Sequence, residues 1–376
     1  MRTLIINGFV YENSTRRFAS KDILVEDGII VALGKNLDAD DAKIIDAQGR
    51  RIVSGLIDVH THGIAGYDFL CADEDALQKM SKTYLSHGVT TVMPTLASAP
   101  LDVMVLVAER IKDFKNRAGA QFCGVHLEGR YLNPQKRGAH APEFLSELRA
   151  CELDGFASLS LPTLHISAAF ELDADKSFAK KACEIGATLA LAHTNASYEE
   201  ALECERAGVS AYTHLYNAMP PINHREGGAV TACLLGDAYA ELICDGIHVS
   251  PEIVALTYSI KKNRLSLISD SMEATCCSDG EYSIAGNPVT VKDGIARTHE
   301  GALAGSTLTL DRAIRNLMRF CNIPLEDAII CATENPAREI GVFDVCGSID
   351  ISKRADMLIL GEGDFEIEQV VLAEDL

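Results

Sequence analysis

The sequence predicts an α/β chain, a (β/α)₈ barrel carrying a small β-sandwich domain assembled from both chain ends. Three observations predict it. Eight short apolar runs alternate with helical stretches through the middle of the 376 residues, the pattern of repeated strand–helix units. Strand-like segments separated by turn signals fill the first 50 residues and the last 30. No G-x-G-x-x-G follows an early strand, which argues against an open dinucleotide-binding sheet. The expected boundaries are 1–52 plus 342–376 for the β domain and 53–341 for the barrel.

The elements follow in order. Segments 3–11, 23–25 and 29–33 are rich in Ile, Leu and Val, with Asp27-Gly28 as a hairpin turn. Barrel strands are expected at 55–59, 91–95, 122–126, 163–168, 188–193, 210–215, 240–247 and 265–269. Ser197-Tyr198-Glu199-Glu200 opens a helix with a capping box, and Ser250-Pro251-Glu252 opens another with a cap and Pro in the first turn. His87-Gly88 and Ala207-Gly208 read as helix ends. Segment 281–297 reads as a β-hairpin inserted after the eighth strand, and 355–360 and 366–372 return to the terminal domain. No internal repeat or low-complexity segment is visible.

Composition narrows the function. With 34 Lys+Arg against 54 Asp+Glu the formal charge is −20, which argues against nucleic acid or an anionic membrane as partner. Hydrophobic residues make up 47% and charged residues 23%, an ordinary soluble balance. The apolar runs fall well short of the roughly 20 residues that span a bilayer. The start, Met1-Arg2-Thr3-Leu4, has no signal-peptide layout. Twelve scattered cysteines, one adjacent pair (Cys276-Cys277) and no C-x-x-C suggest reduced thiols and a cytoplasmic location.

The polar residues fall at strand ends. The first barrel strand ends Asp58-Val59-His60-Thr61-His62, and residues i and i+2 of a strand share a face, so both imidazoles can converge. The third ends His126-Leu127-Glu128, the fifth Ala192-His193, the sixth Thr213-His214, the seventh Asp245-Gly246-Ile247-His248 and the eighth Ser269-Asp270. This is the rim on which barrel enzymes build their sites. Imidazole with carboxylate is the ligand set of a catalytic divalent cation. His87, ending a helix, and His165 and His299, without a partner pattern, are read as structural.

The strings D-V-H-T-H-G, H-L-E-G, A-H-T-N-A, T-H-L-Y-N-A-M, D-G-I-H and L-A-G-S-T-L-T resemble the amidohydrolase superfamily. More narrowly, they resemble the N-acetylglucosamine-6-phosphate deacetylase family, over nearly the whole chain. The resemblance implies a principal metal on Glu128, His193 and His214, and a second on His60 and His62 with Glu128 bridging. One or two divalent ions per subunit are implied, zinc first, with iron, manganese or cobalt as alternatives. It implies Asp270 as the catalytic acid/base and Ala139, His140, Asn217, Ala218, Leu303, Ala304 and Gly305 at the sugar. Arg225 and His248 would bind the phosphate, reaching the neighbouring subunit's site in a homodimer.

The implied activity is hydrolysis of the acetamide of N-acetyl-D-glucosamine 6-phosphate, an amino-sugar phosphate, to D-glucosamine 6-phosphate and acetate. The alternatives are the galactosamine epimer, a cyclic amide hydrolase or deaminase, and a sugar-phosphate sensor without turnover. Glu128, where most relatives carry a carboxylated lysine, speaks against the other hydrolases. The chain departs from the family pattern at Arg130, where Pro is usual, at Ala168-Ala169-Phe170-Glu171, and at Cys276-Cys277, where Gly is expected. A glycine often serves a special backbone conformation, so the loop around Cys276 is expected to differ.

Overall fold

Eight parallel strands form the centre of the computed structural model: Leu56–Thr61, Val89–Leu96, Val125–Glu128, Leu164–Ala168, Thr188–Leu191, Val209–Tyr212, Tyr239–Ile243 and Leu265–Ile268. The structure describes residues 1–38, 40–284 and 286–375; Ala39 and Leu376 of the expected β domain and Ala285 of the expected hairpin lie outside the described residues. Each barrel strand pairs in parallel with the next, from the first to the eighth. All eight residues of Val89–Leu96 are buried, as expected of parallel strands covered on both faces.

The ring closes between the eighth and first strands without a regular ladder. The Asp270 N–H donates to the His60 carbonyl at 2.9 Å, and the Ser269 N–H donates to Oδ1 of Asp58 at 3.3 Å. This seam puts Asp270 beside the two histidines of the first strand.

The chain ends build a seven-stranded mixed sheet from Arg2–Glu12, Arg17–Glu26, Ile29–Gly34, Lys43–Asp46, Arg51–Ser54, Met357–Leu360 and Ile367–Val371. Ile5, Ile23, Val25, Ile52, Met357 and Ile359 are among the side chains of its own core. Leu358 and Leu360, on the opposite face of the same strand, join the barrel core instead.

The helix signals hold with one exception. Ser197 and Glu200 form the reciprocal capping box. Ser250 occupies the N-cap position ahead of Pro251, but its side chain makes no capping hydrogen bond. The insertion after the eighth strand is a three-stranded antiparallel sheet, Gly280–Ile284, Asn287–Lys292 and Ile295–Thr298, rather than a hairpin. Asp293-Gly294, both in the left-handed region, supply the second turn. Met272, Ile284, Val289 and Ala304 form a small core beneath it.

Candidate metal centre

Glu128 ends the third strand with its side chain 3% exposed, and its two oxygens face different imidazoles. Oε1 lies 3.1 Å from Nε2 of His193 and 2.9 Å from Nε2 of His214. Oε2 lies 3.0 Å from Nε2 of His62 and 3.6 Å from Nε2 of both His60 and His140. Asp270 Oδ1 completes the second group, 3.5 Å from Nε2 of His60 and 3.4 Å from Nε2 of His62. Glu128–His193–His214 and His60–His62–Asp270 are thus two buried trios, each with its donor atoms within 4.8 Å of one another.

Two of the four rings, His193 and His60, have their second nitrogens engaged outward, while Nδ1 of His62 and Nδ1 of His214 are buried without a partner among the described residues. Nδ1 of His193 is 2.7 Å from the Lys136 carbonyl, which can only accept, so Nδ1 carries the hydrogen and Nε2 presents a lone pair. Nδ1 of His60 is 3.1 Å from Oε2 of Glu241, with the same consequence. Yet the Nε2 atoms of His193 and His214 are 3.1 Å apart and both point at a carboxylate oxygen. Ring nitrogens and carboxylate oxygens that converge in this way favour positive charge between them, and a divalent cation fits the donor set.

The electrostatics say the same. Burial alone would push the His62 imidazole down, but hydrogen bonds to Asp270 and Glu128 overcome it and carry it up to about 9. Burial would raise the Glu128 carboxyl, and the surrounding imidazoles, His60 foremost, hold it well below the usual range. Asp270 is likewise lowered against its burial, by His60 and His62. Asp58, desolvated behind the site, is pushed up to about 6 despite hydrogen bonds from Ser269 and His60.

Three of these residues have a backbone that the sequence does not betray. His193, His214 and Asp270 stand at φ of 43°, 33° and 47°, with Ala218 at 53°. Left-handed backbone is unfavourable for residues with a Cβ and collects at sites where the surrounding structure enforces it. It also explains why the strands stop before these residues: the fifth ends at Leu191, the sixth at Tyr212 and the eighth at Ile268.

A cavity of about 390 Å³ opens over the trios. His62, Glu128, Ala139, His140, His193, His214, Asn217, Ala218, His248, Asp270, Leu303, Ala304 and Gly305 line it. His60 lies beneath, fully buried. Contrary to the expectation that it reaches a neighbouring subunit's site, His248 faces this chain's own cavity, with Nδ1 2.6 Å from Oδ2 of Asp245. Arg225 is not brought to the cavity; it stands exposed beside Asn195 and Tyr198.

Other departures have structural reasons. Arg130 turns inward to the Ala99 carbonyl (3.0 Å) and Glu152 (3.4 Å) and adopts φ of 63°, so it shapes the loop. Glu171 ties two loops together, accepting from the Asn195 N–H at 3.0 Å and Asn133 Nδ2 at 3.1 Å. His165, expected to lack a partner pattern, bonds Thr188 Oγ1 at 2.7 Å and lies 3.4 Å from Glu241. Sequence reasoning passed over Glu241, for which no local signal exists. It also passed over Gln135 and Lys136, which line the cavity; the Lys136-Arg137 pair in an acidic chain is the signal that could have found them.

Known proteins share the sequence and the fold of this chain. Residues 51–373 match the model of the amidohydrolase family. The chain is 35% identical over 353 residues to an N-acetylgalactosamine-6-phosphate deacetylase of Escherichia coli O157:H7, covering 92% of each chain. It is 34% identical over 322 residues to an N-acetylglucosamine-6-phosphate deacetylase of Vibrio furnissii, covering 85% of this chain and 80% of the relative. The solved N-acetylglucosamine-6-phosphate deacetylase of Pasteurella multocida superposes with a TM-score of 0.92 at 27% identity, over 99% of this chain and 98% of that one. An aspartate-to-alanine mutant of the Mycobacterium smegmatis enzyme, in complex with N-acetyl-D-glucosamine-6-phosphate, superposes with a TM-score of 0.88 at 28% identity, over 99% and 98%.

Proposed function

The chain belongs to the amidohydrolase family and, within it, to the amino-sugar-phosphate deacetylases; from that premise we propose that it hydrolyses the acetamide of N-acetyl-D-glucosamine 6-phosphate to D-glucosamine 6-phosphate and acetate. The observation that carries the reading is the two-sided carboxylate of Glu128, with buried histidines on both oxygens and Asp270 alongside.

Glu128, His193 and His214 would hold the principal divalent ion, and His60 and His62 a second, with Glu128 between. A divalent ion in such a site lowers the pKa of a bound water from about 16 to about 7 and polarises a carbonyl oxygen. Zinc is the first ion we expect, because three imidazole and carboxylate ligands with an open position are its usual catalytic set.

The remaining chemistry belongs to the chain. Asp270, ionised at neutral pH because His60 and His62 outweigh its burial, takes the proton of the attacking water and returns it to the amide nitrogen. Without that proton the amine anion is too poor a leaving group to depart. His140, held by Ser98 Oγ 2.9 Å from its Nδ1 and with Nε2 3.6 Å from Glu128 Oε2, would contact the sugar. Asn217, Ala218 and the Leu303-Ala304-Gly305 backbone would seat the ring. His248 would contact the phosphate from this chain's own side.

We propose a homodimer in which Arg225 completes the neighbouring phosphate site. Its support is Arg225's distance from its own cavity and an exposed apolar stripe, Ile253, Leu256 and Ile260, on one face of helix Pro251–Lys261. The cytoplasm is the proposed location, supported by twelve free cysteines.

The galactosamine epimer is the second reading, favoured by the 35% identity to the galactosamine-named relative. Acetate release from the gluco, galacto and manno N-acetylhexosamine 6-phosphates tests both. The highest kcat/KM is expected on the gluco substrate; a clear preference for the galacto substrate would move the assignment to that epimer. No release from any of the three would overturn the deacetylase reading.

A further inference from the structure

Cys276 stands on the loop after the eighth barrel strand, where its φ of 66° is one that a side chain adopts only under constraint. The constraint is visible. The Ala65 N–H donates to the Thr275 carbonyl at 2.8 Å and the Gly66 N–H to the Glu273 carbonyl at 2.7 Å, zipping this loop to the exit of the first strand. The sulfur is therefore held in place rather than carried on a loose segment.

Its position matters because of what it meets. Sγ of Cys276 lies 3.3 Å from Nε2 of His87, the residue that ends helix Glu74–Ser86. Nδ1 of the same ring lies 3.2 Å from Oδ1 of Asp311. Asp311 is buried and paired with Arg315 at 2.5 Å. Thiol, imidazole and carboxylate stand in line, with the carboxylate orienting the ring. Hydrogen bonds to Asp311 and then Cys276 push the His87 imidazole up to about 10, so the ring is cationic at neutral pH. The cationic ring therefore stands beside the sulfur with an Nε2 proton to give to a departing oxyanion.

Three of the other four exposed cysteines among the described residues have different surroundings. Cys277 and Cys183 turn their thiols to the carbonyls of Glu273 and Ala207, and Cys71 lies where burial and nearby Asp68 push its thiol up. None of Cys276, His87 and Asp311 lines the cavity above the metal centre, so the proposed deacetylation gives this cluster no role.

We propose that Cys276 is a redox modification site, the first thiol of this chain that a hydroperoxide oxidises. Sγ attacks the terminal peroxide oxygen, the O–O bond breaks, and that oxygen stays on sulfur as a sulfenic acid. The departing alkoxide or hydroxide takes the Nε2 proton of His87 and leaves as alcohol or water. Sulfur loses two electrons and the peroxide gains them. The Cα atoms of neighbouring residues stand about 3.8 Å apart, short of the usual disulfide span, so the sulfenic acid precedes any Cys276–Cys277 bond.

The test treats the full-length, metal-loaded protein with substoichiometric hydrogen peroxide and dimedone, and quantifies each cysteine by peptide mass spectrometry. Labelling of Cys276 is expected to exceed that of exposed Cys151 and Cys183 by about tenfold or more. His87→Gln is expected to reduce it to their level while leaving theirs unchanged. Should His87→Gln fail to fold, Asp311→Asn and the ranking within the unaltered protein decide. Equal labelling of Cys276 and Cys151, or labelling of Cys276 untouched by a folded His87 or Asp311 variant, would overturn the proposal. Acetate release plays no part in the readout, so its outcome is independent of the deacetylase reading.

Discussion

Glu241 accepts from Nδ1 of His60 at 3.1 Å, on the edge of the ring opposite the one that faces Glu128 and Asp270. The carboxylate fixes which nitrogen of His60 carries the hydrogen and so turns a lone pair toward the second trio. Oε1 of Glu241 stands 3.4 Å from Nε2 of His165, and the whole side chain is buried. Burial would raise its carboxyl, and His165 and His60 hold it low.

Glu241→Gln removes the obligatory acceptor and lets an amide N–H face Nδ1, which would place the hydrogen on the wrong nitrogen. Affinity for the second ion is expected to fall by about 10- to 100-fold, while the ion on Glu128, His193 and His214 is retained. Competition titration with a chromogenic chelator reads both. Unchanged affinity for both ions would remove Glu241 from this positioning role.

Asp270→Asn keeps the shape of the side chain and abolishes its basicity. The Glu128–His193–His214 ion is expected to remain, and kcat to fall by about two to four orders of magnitude. Steady-state kinetics together with elemental analysis of the same preparation check the pair of outcomes. Near-normal turnover would assign the proton transfers elsewhere.

The second trio couples metal binding to pH. His62 is held up to about 9, chiefly by the Asp270 and Glu128 carboxylates against its burial. Below that pH its imidazole carries a proton that an incoming ion must displace. Affinity is therefore expected to rise as pH rises, by up to roughly tenfold per unit while one proton is released, and to level off above about 9. Calorimetry in buffers of different ionisation enthalpy measures the released proton directly.

Shared sites would show as complementation. Arg225→Ala and Asp270→Asn proteins are each expected to be nearly inactive, and a refolded mixture is expected to recover part of the activity. The recovered fraction approaches a quarter of the unmixed wild-type value when half of the dimers are mixed and each holds one intact site. A mixture no more active than its components would make Arg225 a surface charge.

Much of the site was legible in sequence. His60 and His62 share a strand face two residues apart, and Glu128, His193, His214 and Asp270 each end an apolar run, so the rim was readable strand by strand. The loop around Cys276 was expected to differ for want of a glycine, yet Cys276 itself adopts a glycine-like φ of 66°, which its residue type does not announce. What was not legible depends on distant partners. Glu241 sits in an otherwise apolar strand, and its partner His60 is 181 residues away. His165 gains meaning only through that same carboxylate. The left-handed backbone at His193, His214 and Asp270 is imposed by packing, and no residue type announces it. His248 lies past the end of its strand, where sequence does not reveal which way a loop turns.

The account rests on a divalent ion among Glu128, His193 and His214, and acetate release by chelator-stripped protein titrated with zinc tests it most directly. The expected curve begins at zero on N-acetyl-D-glucosamine 6-phosphate and saturates at one or two ions per chain. Full activity in the stripped protein, or none after reloading the folded protein, would contradict it.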